Sequence, residues 1–331
     1  MVKVFCFGEI LLHFSPSGDP AFIGEQNMPF YLGGAELNVS SALANWGMPV
    51  AYGTGMPANF LSNTIASYLA SKNIDTSAIQ YSGDRIGVFY LAQGKDMKNA
   101  AVVFDRKDSS FSCLQKGAID WTKQLKDIGW FHITAISASL SQSATDLCVE
   151  ALEAATAMGI PISIDLNYRP KLWQYGKTPL QVMPALVKHA TYIMGNLWSV
   201  EVMLGIKSAV ANSMGCTKEA LNEAAMESMR QLIALYPKAK CVAYTFRLEK
   251  EYYGLMHQDN QVYISKIHPA ENVINTVGSG DCFMAGLIYG TEQKYKPAEL
   301  INFAAAAGIG KQYELGDATT QTVEQIKNRM A

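Results

Sequence analysis

The sequence has little that would mark a nucleic-acid-binding, membrane or disulfide-stabilised protein. Its 331 residues carry 27 Lys and Arg against 29 Asp and Glu, whereas a nucleic-acid-binding protein would show a basic excess. No uninterrupted apolar run reaches the ~20 residues of a membrane span. The six cysteines form no C-x-x-C pair, which argues against a zinc site and favours reduced, buried thiols. They are Cys6, Cys113, Cys148, Cys216, Cys241 and Cys282.

The remaining composition is that of a globular protein, long enough for one large α/β domain or two smaller ones. With 49% hydrophobic and 17% charged residues, the chain can bury a large α/β core, and we expect a single domain over residues 1–331. The opening run MVKVFCFGEI predicts a buried strand rather than a signal peptide, so we expect a soluble, cytoplasmic protein. Repeated strand–helix units predict a mostly parallel sheet covered on both faces, which binds ligands beyond the carboxyl ends of its strands.

The stretch N-T-V-G-S-G-D, which ends at Asp281, carries the clearest chemical signal. Gly278, Ser279 and Gly280 open a predicted helix, and the free amides at a helix start attract anions. Phosphoryl transfer needs such amides beside a carboxylate that takes a proton from the attacking hydroxyl. On spacing alone, a glycine turn with Asp281 as an ordinary helix cap explains the pattern equally well.

A second glycine turn, G-G-A-E-L-N, opens another predicted helix at Gly33 and Gly34 and places Asn38 in its first turns. The two turns resemble the G-G-x-x-x-N and D-T-x-G-A-G-D signatures of the ribokinase-like (PfkB) carbohydrate kinases. The resemblance implies that Asp281 is the catalytic base and that the amides of residues 278–280 form an anion hole. It also implies that Gly33, Gly34 and Asn38 hold sugar hydroxyls.

The same resemblance implies the fold. It is a three-layer α/β/α domain with a mostly parallel central sheet and a small β-sheet lid, here assigned to residues 11–32 and 85–111. Strands are predicted at 21–32, 86–92 and 102–104, with a turn that includes residues 94–96. The hairpin would expose Val88, Tyr90 and Val102 on a sheet too small to bury both faces. Lids of this family often pair between subunits, so we expect a homodimer through the lid.

The loop D-L-N-Y-R places Arg169 after an apolar strand, and its guanidinium could bind two oxygens of a ligand carboxylate or phosphate. A structural pair between Arg169 and Asp165 is the alternative. The D-x-N-x-R-x-x-L-W run and the F-D-R-K segment resemble the 2-keto-3-deoxygluconate kinases. That resemblance implies that Arg106 and Arg169 contact a sugar acid and that Phe89 and Phe104 replace two substrate-binding tyrosines.

The resemblance therefore implies ATP-dependent phosphorylation of a sugar acid, 2-keto-3-deoxygluconate, to its 6-phosphate. Fructokinase, or another ketose kinase, is the neighbouring alternative. A catalytically weak sugar-binding relative is the alternative from another class, because three family features differ here. Asn275 replaces the first Asp of the signature, Ser199 replaces the Glu of N-x-x-E, and residues 245–250 lack both glycines of the phosphate-covering turn.

On the nucleotide side, the resemblance implies that ATP contacts Asn196, Thr245, Arg247, Gly278, Gly280 and Asn302. A solvated hairpin connection explains Arg247 equally well, and helix solubility explains Asn302 equally well. Mg²⁺ is expected to arrive with ATP, and the family implies a monovalent cation such as K⁺. No spaced histidine pair points to a metal site built from protein ligands alone. The expected partners are thus the sugar and ATP, with no nucleic acid and no membrane.

Overall fold

The computed structural model describes residues 1–16, 27–92 and 102–331. The strands are Lys3–Phe7 (β1), Leu11–Phe14 (β2), Phe30–Gly33 (β3), Val50–Met56 (β4), Ile74–Tyr81 (β5), Gly87–Tyr90 (β6), Val103–Asp105 (β7), Ile128–Thr134 (β8), Ile162–Asp165 (β9), Tyr192–Gly195 (β10), Cys241–Arg247 (β11), Glu251–Gln258 (β12), Gln261–Ile264 (β13) and His268–Pro269 (β14). The α-helices are Ala35–Asn45 (α1), Phe60–Ser71 (α2), Trp121–Gln124 (α3), Ala135–Ala138 (α4), Gln142–Ala157 (α5), Pro179–Val187 (α6), Leu197–Leu204 (α7), Lys218–Leu235 (α8), Ser279–Glu292 (α9), Pro297–Lys311 (α10) and Val323–Met330 (α11).

The main sheet has the strand order β13-β12-β11-β10-β9-β8-β1-β4-β5, with β14 paired to β12. All neighbours from β11 to β5 are parallel, and only β12, β13 and β14 add antiparallel pairs at one end. The carboxyl ends of the parallel strands therefore lie along one edge, which confirms the predicted sheet. No helix among the described residues combines the length and the apolar composition needed to cross a membrane.

Side chains that alternate along each strand fill two cores, one on each face of the sheet. In β1, Phe5 and Phe7 join a core with α5, α6, α7 and α8, whereas Val4 and Cys6 join a core with α1, α2, α9 and α10. Burial on both faces explains why the parallel strands read as continuous apolar runs. The result is the predicted three-layer arrangement.

A separate four-stranded sheet, in the order β3-β2-β6-β7, confirms the predicted small lid sheet. Its cross-strand register pairs His13 with Phe89, and Phe89 with Phe104. It also pairs Phe14 with Tyr90, which lies on the opposite face because neighbouring residues of a strand alternate. Aromatic side chains therefore occupy both faces of the small sheet.

Several details differ from the sequence predictions. β5 was not predicted, because the segment I-D-T-S-A-I-Q-Y shows neither apolar alternation nor a continuous apolar run. Val102, predicted to be exposed, is buried in a small core with Leu11 and Phe89. The predicted turn at 94–96 and part of the predicted strand at 21–32 lie outside the described residues.

Candidate active site

A cavity of about 640 Å³ lies beyond the carboxyl ends of the parallel strands, between the main sheet and the small sheet. Its walls include Asn38 from α1, Phe89 and Phe104 from the small sheet, and Asp281 from α9. The lining also includes Arg106, Arg169, Asn196, Thr245, Arg247 and the segment 276–281. The cavity thus joins most of the residues that the sequence assigns to sugar, phosphate and nucleotide.

Asp281 lies in the first turn of α9 and is buried, with 7% of its surface exposed. Burial raises the pKa of its carboxyl to about 8, although the hydrogen bond from Asn38 and the charge of Arg169 oppose this shift. The ionised form of such a carboxyl can accept a proton from a bound hydroxyl, and the ionised fraction grows as the pH approaches 8. These are the properties that a general base requires.

Gly278 caps the amino end of α9 in a left-handed conformation, with φ of 79°. A Cβ at this position would overlap the carbonyl oxygen of Asp317, so glycine is required by both conformation and space. Residues 278–280, which open the helix, line the cavity, and a helix start of this kind is a suitable cradle for a phosphate, although the Ser279 amide already donates to the Thr276 carbonyl at 3.3 Å. The hydroxyl of Ser279, in contrast, donates internally to the Gly308 carbonyl at 2.9 Å.

Asn38, predicted to hold the sugar, is hydrogen-bonded to Asp281. Its Nδ2 donates to Oδ2 of Asp281 at 2.7 Å. Its buried Oδ1 also lines the cavity region and has no hydrogen-bond partner among the described residues. A buried amide oxygen without a partner is costly unless a ligand supplies a donor, and a sugar hydroxyl would do so.

Glu36, two residues before Asn38 on α1, is a buried carboxylate that organises this wall. One oxygen accepts from the Thr134 amide at 2.9 Å and from the hydroxyls of Thr134 and Ser137, both at 2.8 Å. Burial raises the pKa of Glu36, and these hydrogen bonds oppose the shift. Glu36 therefore ties α1 to the end of β8 and fixes the position of Asn38.

Arg106 lines the cavity but has an acidic partner that the sequence did not predict. Its Nε donates to Oε2 of Glu9 at 2.6 Å, and the two side chains are 5% and 1% exposed. A buried ion pair with this geometry fixes the guanidinium and balances its charge. The net positive charge that Arg106 offers to an anionic ligand is reduced accordingly.

Arg169 follows β9 and lines the same cavity. Its Nη1 donates to the Tyr168 carbonyl at 3.1 Å, and its charge acts against the raised pKa of both Asp165 and Asp281. Burial raises the pKa of Asp165 to about 6, opposed by a hydrogen bond from the Asn167 amide. The guanidinium therefore lies within electrostatic range of two carboxyl groups at the cavity wall.

The predicted nucleotide residues fall into two groups. Thr245 and Arg247, at the end of β11, line the cavity beside Trp198. Asn196 also lines it, but its side chain caps α7 by accepting from the Ser199 amide at 2.9 Å, while Ser199 Oγ accepts from the Asn196 amide. Ser199 thus completes a helix cap and brings no carboxylate to the cavity.

Asn302 and Gly33 lie outside the cavity lining. Asn302 accepts from the Lys266 amide and donates to the Ala298 carbonyl, both at 2.7 Å, and so anchors the chain after β13 to α10. Gly33 lies against the carboxylate of Asp317. Among the described residues, no three His, Cys, Asp or Glu side chains are grouped closely enough to hold a metal ion.

A sequence model of the pfkB family carbohydrate kinases matches residues 1–313 of the chain. The chain belongs to this family. A 2-dehydro-3-deoxygalactonokinase of Haloferax volcanii is 27% identical over 173 residues, a match that covers 52% of this chain and 54% of that protein. A 2-dehydro-3-deoxygluconokinase of Bacillus subtilis is 24% identical over 78% of this chain and 74% of its own length.

Solved structures of the family share the fold. The crystal structure of a 2-dehydro-3-deoxygluconokinase from Thermotoga maritima aligns with a TM-score of 0.89 and 29% identity, and covers 100% of this chain and 99% of that one. The ribokinase-like fold predicted from the two glycine motifs is therefore confirmed. The protein is a carbohydrate kinase, and its cavity is the candidate active site of that enzyme.

Several residues of this pfkB kinase site were not identified from the sequence. Glu36 and Glu9 are separated in sequence from Thr134 and Arg106, and spacing gives no indication of these pairings. Asp317 lines the cavity, and His13 pairs with it at 2.7 Å while stacking on Phe89. The one available signal for Asp317 is its place in the L-G-D turn after the alanine-rich helix α10.

Proposed function

We propose that this kinase transfers the γ-phosphoryl group of ATP to 2-keto-3-deoxygluconate and forms the 6-phosphate. The observation that carries the proposal is that Arg169 and Asp281 line one cavity. A guanidinium for the substrate carboxylate and a base for its hydroxyl can therefore act on the same small molecule. The names of the Bacillus and Thermotoga relatives, which denote the same keto-deoxy sugar acid, support this substrate class.

The chemistry assigned to the chain's own residues is a direct proton transfer with anion stabilisation. Asp281 accepts the proton of the attacking hydroxyl, while Asn38 holds its carboxylate through the 2.7 Å hydrogen bond. The amides of residues 278–280 stabilise the negative charge that develops on the transferred group. Asp281 is 7% exposed, and burial to this extent limits the access of water that would compete as the acceptor.

The residues that line the cavity fit a nucleoside triphosphate. The glycine turn at Gly278 lines the cavity and suits a phosphate, and Trp198, Thr245 and Arg247 line the same cavity. ATP supplies the phosphoryl group there, and Mg²⁺ offsets its charge. Arg247 supplies positive charge where the two glycines of the family turn are missing, although a role in the hairpin connection remains the alternative.

We assign the binding of the sugar-acid carboxylate to Arg169 rather than to Arg106. The charge of Arg106 is balanced by Glu9 at 2.6 Å, so its remaining role is to orient sugar oxygens. Phe89 and Phe104 face the substrate as apolar walls in place of hydroxyl donors. Fructose has no carboxylate, so a fructokinase would not need Arg169 to bind one. The effect of replacing Arg169 therefore distinguishes a sugar-acid kinase from a fructokinase.

The test is an Arg169→Leu variant, assayed with 2-keto-3-deoxygluconate and with fructose. A charge-assisted contact of about 1.5–3 kcal/mol predicts a loss in kcat/KM of about 10–150-fold on the acid. Fructose never makes that contact, so its weak turnover should change little. The control is Arg230→Leu, because Arg230 is an exposed arginine paired with Glu227 on α8.

Equal losses on both substrates, with a lower melting temperature, would mean that Arg169 braces its loop through Asp165, and the sugar-acid assignment would then fail. ATP consumption across a panel of sugars and sugar acids tests the third alternative. A wild-type protein that binds sugars but consumes no ATP with any of them would be the catalytically weak relative.

A further inference from the structure

Lys311, the last residue of α10, is a lysine with no exposed surface. Lysines are almost never fully buried unless they have partners. Its Nζ donates to the Gly316 carbonyl at 2.9 Å and lies 3.5 Å from the Glu314 carbonyl oxygen. Burial lowers the pKa of Lys311, and the charges of Glu314 and Asp317 oppose that shift. The ammonium is thus held by backbone oxygens inside the protein.

This ammonium lies directly behind the phosphate cradle. Cε of Lys311 is 3.3 Å from the position that a Cβ on Gly278 would occupy. The negative charge of Asp281 is also among those that raise the pKa of Lys311, so the two groups interact electrostatically. A positive charge at this place strengthens the field of the α9 amides on a bound phosphoryl group.

Asn275 contacts the same carbonyl. Its Nδ2 donates to Gly316 at 2.9 Å, and its Oδ1 accepts from the Val277 amide at 2.9 Å. The two lone pairs of the Gly316 oxygen are therefore both used, by Lys311 and by Asn275. An aspartate at position 275 could not donate here, and its charge would cancel that of Lys311. Asn275 therefore adds no further negative charge beside the ammonium.

We propose that Lys311 is a built-in cation of the anion hole, a positioning residue that acts through the 278–280 amides. This kinase then needs no K⁺ or other monovalent cation, in contrast to the expectation from family resemblance. The departure at Asn275 is in this view matched to Lys311 and does not weaken catalysis. The inference rests on the kinase activity of the family and not on the identity of the sugar.

The first test uses the wild-type enzyme in choline chloride, NaCl and KCl at equal ionic strength. The expected kcat is the same in all three salts, and so is the rise in melting temperature on adding Mg²⁺–ATP. An increase in kcat of about tenfold or more in KCl, the effect expected of one added charge near the site, would overturn the proposal. The melting measurement needs no sugar, so it is independent of whether 2-keto-3-deoxygluconate is the substrate.

The second test is Lys311→Ala, with the exposed Lys177→Ala as the matched control. We expect kcat to fall about 10–100-fold with little change in the KM for the sugar, because the charge acts on the transferring group. Added NH₄⁺ should restore part of kcat, which a purely structural role would not allow. A folded Lys311→Ala enzyme with wild-type kcat would overturn the proposal. If this variant does not fold, Lys311→Arg is expected to keep cation-independent activity, and K⁺ activation of that variant would overturn the proposal.

Discussion

As the proposed general base, Asp281 should set the pH range in which this carbohydrate kinase works. Burial raises the pKa of its carboxyl to about 8, and only the ionised carboxylate can accept a proton. We therefore expect kcat/KM to rise with pH and to level off above about 8, with a tenfold change per pH unit well below it. The measurement is kcat/KM between pH 5 and pH 9 in a constant-ionic-strength buffer series.

A midpoint near 6 would contradict this assignment, because burial raises the pKa of Asp165 to about 6 and that carboxyl would then control the profile. Asp165→Asn is the variant that separates the two groups. It should leave the upper midpoint in place if Asp281 is the base.

Replacing Asp281 with Asn removes the proposed base and keeps the shape of the side chain. The expected loss in kcat is about 10²–10⁴-fold, the usual contribution of a positioned general base, with sugar affinity nearly intact. Wild-type kcat in this variant would remove Asp281 from the mechanism. Isothermal titration with the sugar supplies the binding measurement.

The same substitution also predicts how the stability of the protein changes with pH. The pKa of Asp281 is about 8 in the folded protein, against the ordinary 3.8 of an unfolded aspartate, so the native state holds the extra proton between these values. The stabilisation is complete below the unfolded pKa and is lost as pH rises through the folded pKa. Asp281→Asn has no such loss. The melting temperature of the variant should therefore rise relative to that of the wild type as the pH increases from 5 to 9. A difference in melting temperature that does not change with pH would contradict the raised pKa of Asp281.

At the scale of secondary structure, the close contact between α9 and α10 fixes the helix that carries the proposed anion hole. A Cβ on Gly286 would lie 2.7 Å from Cα of Ala304, so the two backbones touch at this point. Gly286→Val must separate the helices, and overpacking of this kind costs about 1–3 kcal/mol. We expect a lower melting temperature and a lower kcat, since the cradle moves with α9. Ala298→Val, at an exposed position of α10, is the control and should change neither.

The elements that carry the motifs could be predicted from sequence because their signals are local. Glycine turns before apolar periodicity indicate the starts of α1 and α9, and continuous apolar runs indicate the parallel strands. β5 lacks both signals and forms because β4 offers it a parallel partner. Its presence depends on tertiary contacts that no window of sequence contains.

The same distinction holds within the site. Asp281, Asn38 and Arg169 lie in recognisable motifs, and the structure brings all three to one cavity. The pairing of Arg106 with Glu9 and the burial of Lys311 depend on residues far apart in sequence or on the packing of a whole helix. Sequence reasoning therefore named candidate reacting groups that the structure brings to one cavity, and their roles stay predictions; it could not determine which charges were balanced.

At the scale of the whole molecule, the small sheet has two roles because successive side chains along each strand point to opposite faces. One face brings Phe89 and Phe104 to the cavity, and the other turns apolar side chains away from the main domain. On that outward face Phe30 is 55% exposed and Val103 is 58% exposed, next to half-buried Phe14 and Tyr90. Exposed apolar clusters of this kind mark interaction surfaces, and an uncovered small sheet invites pairing with a second copy.

We therefore predict a homodimer formed through the outward face of the small sheet. A lysine at its centre would place a charge in the interface, so Val103→Lys and Phe30→Lys should yield monomers in sedimentation velocity where the wild type sediments as a dimer. Phe60→Lys is the matched control, because Phe60 is a more exposed aromatic, at 85%, on α2 outside the small sheet. That variant should remain dimeric. A wild-type monomer at micromolar concentration, or dissociation caused equally by Phe60→Lys, would show that the small sheet is not the interface, and its apolar outer face would then need another partner.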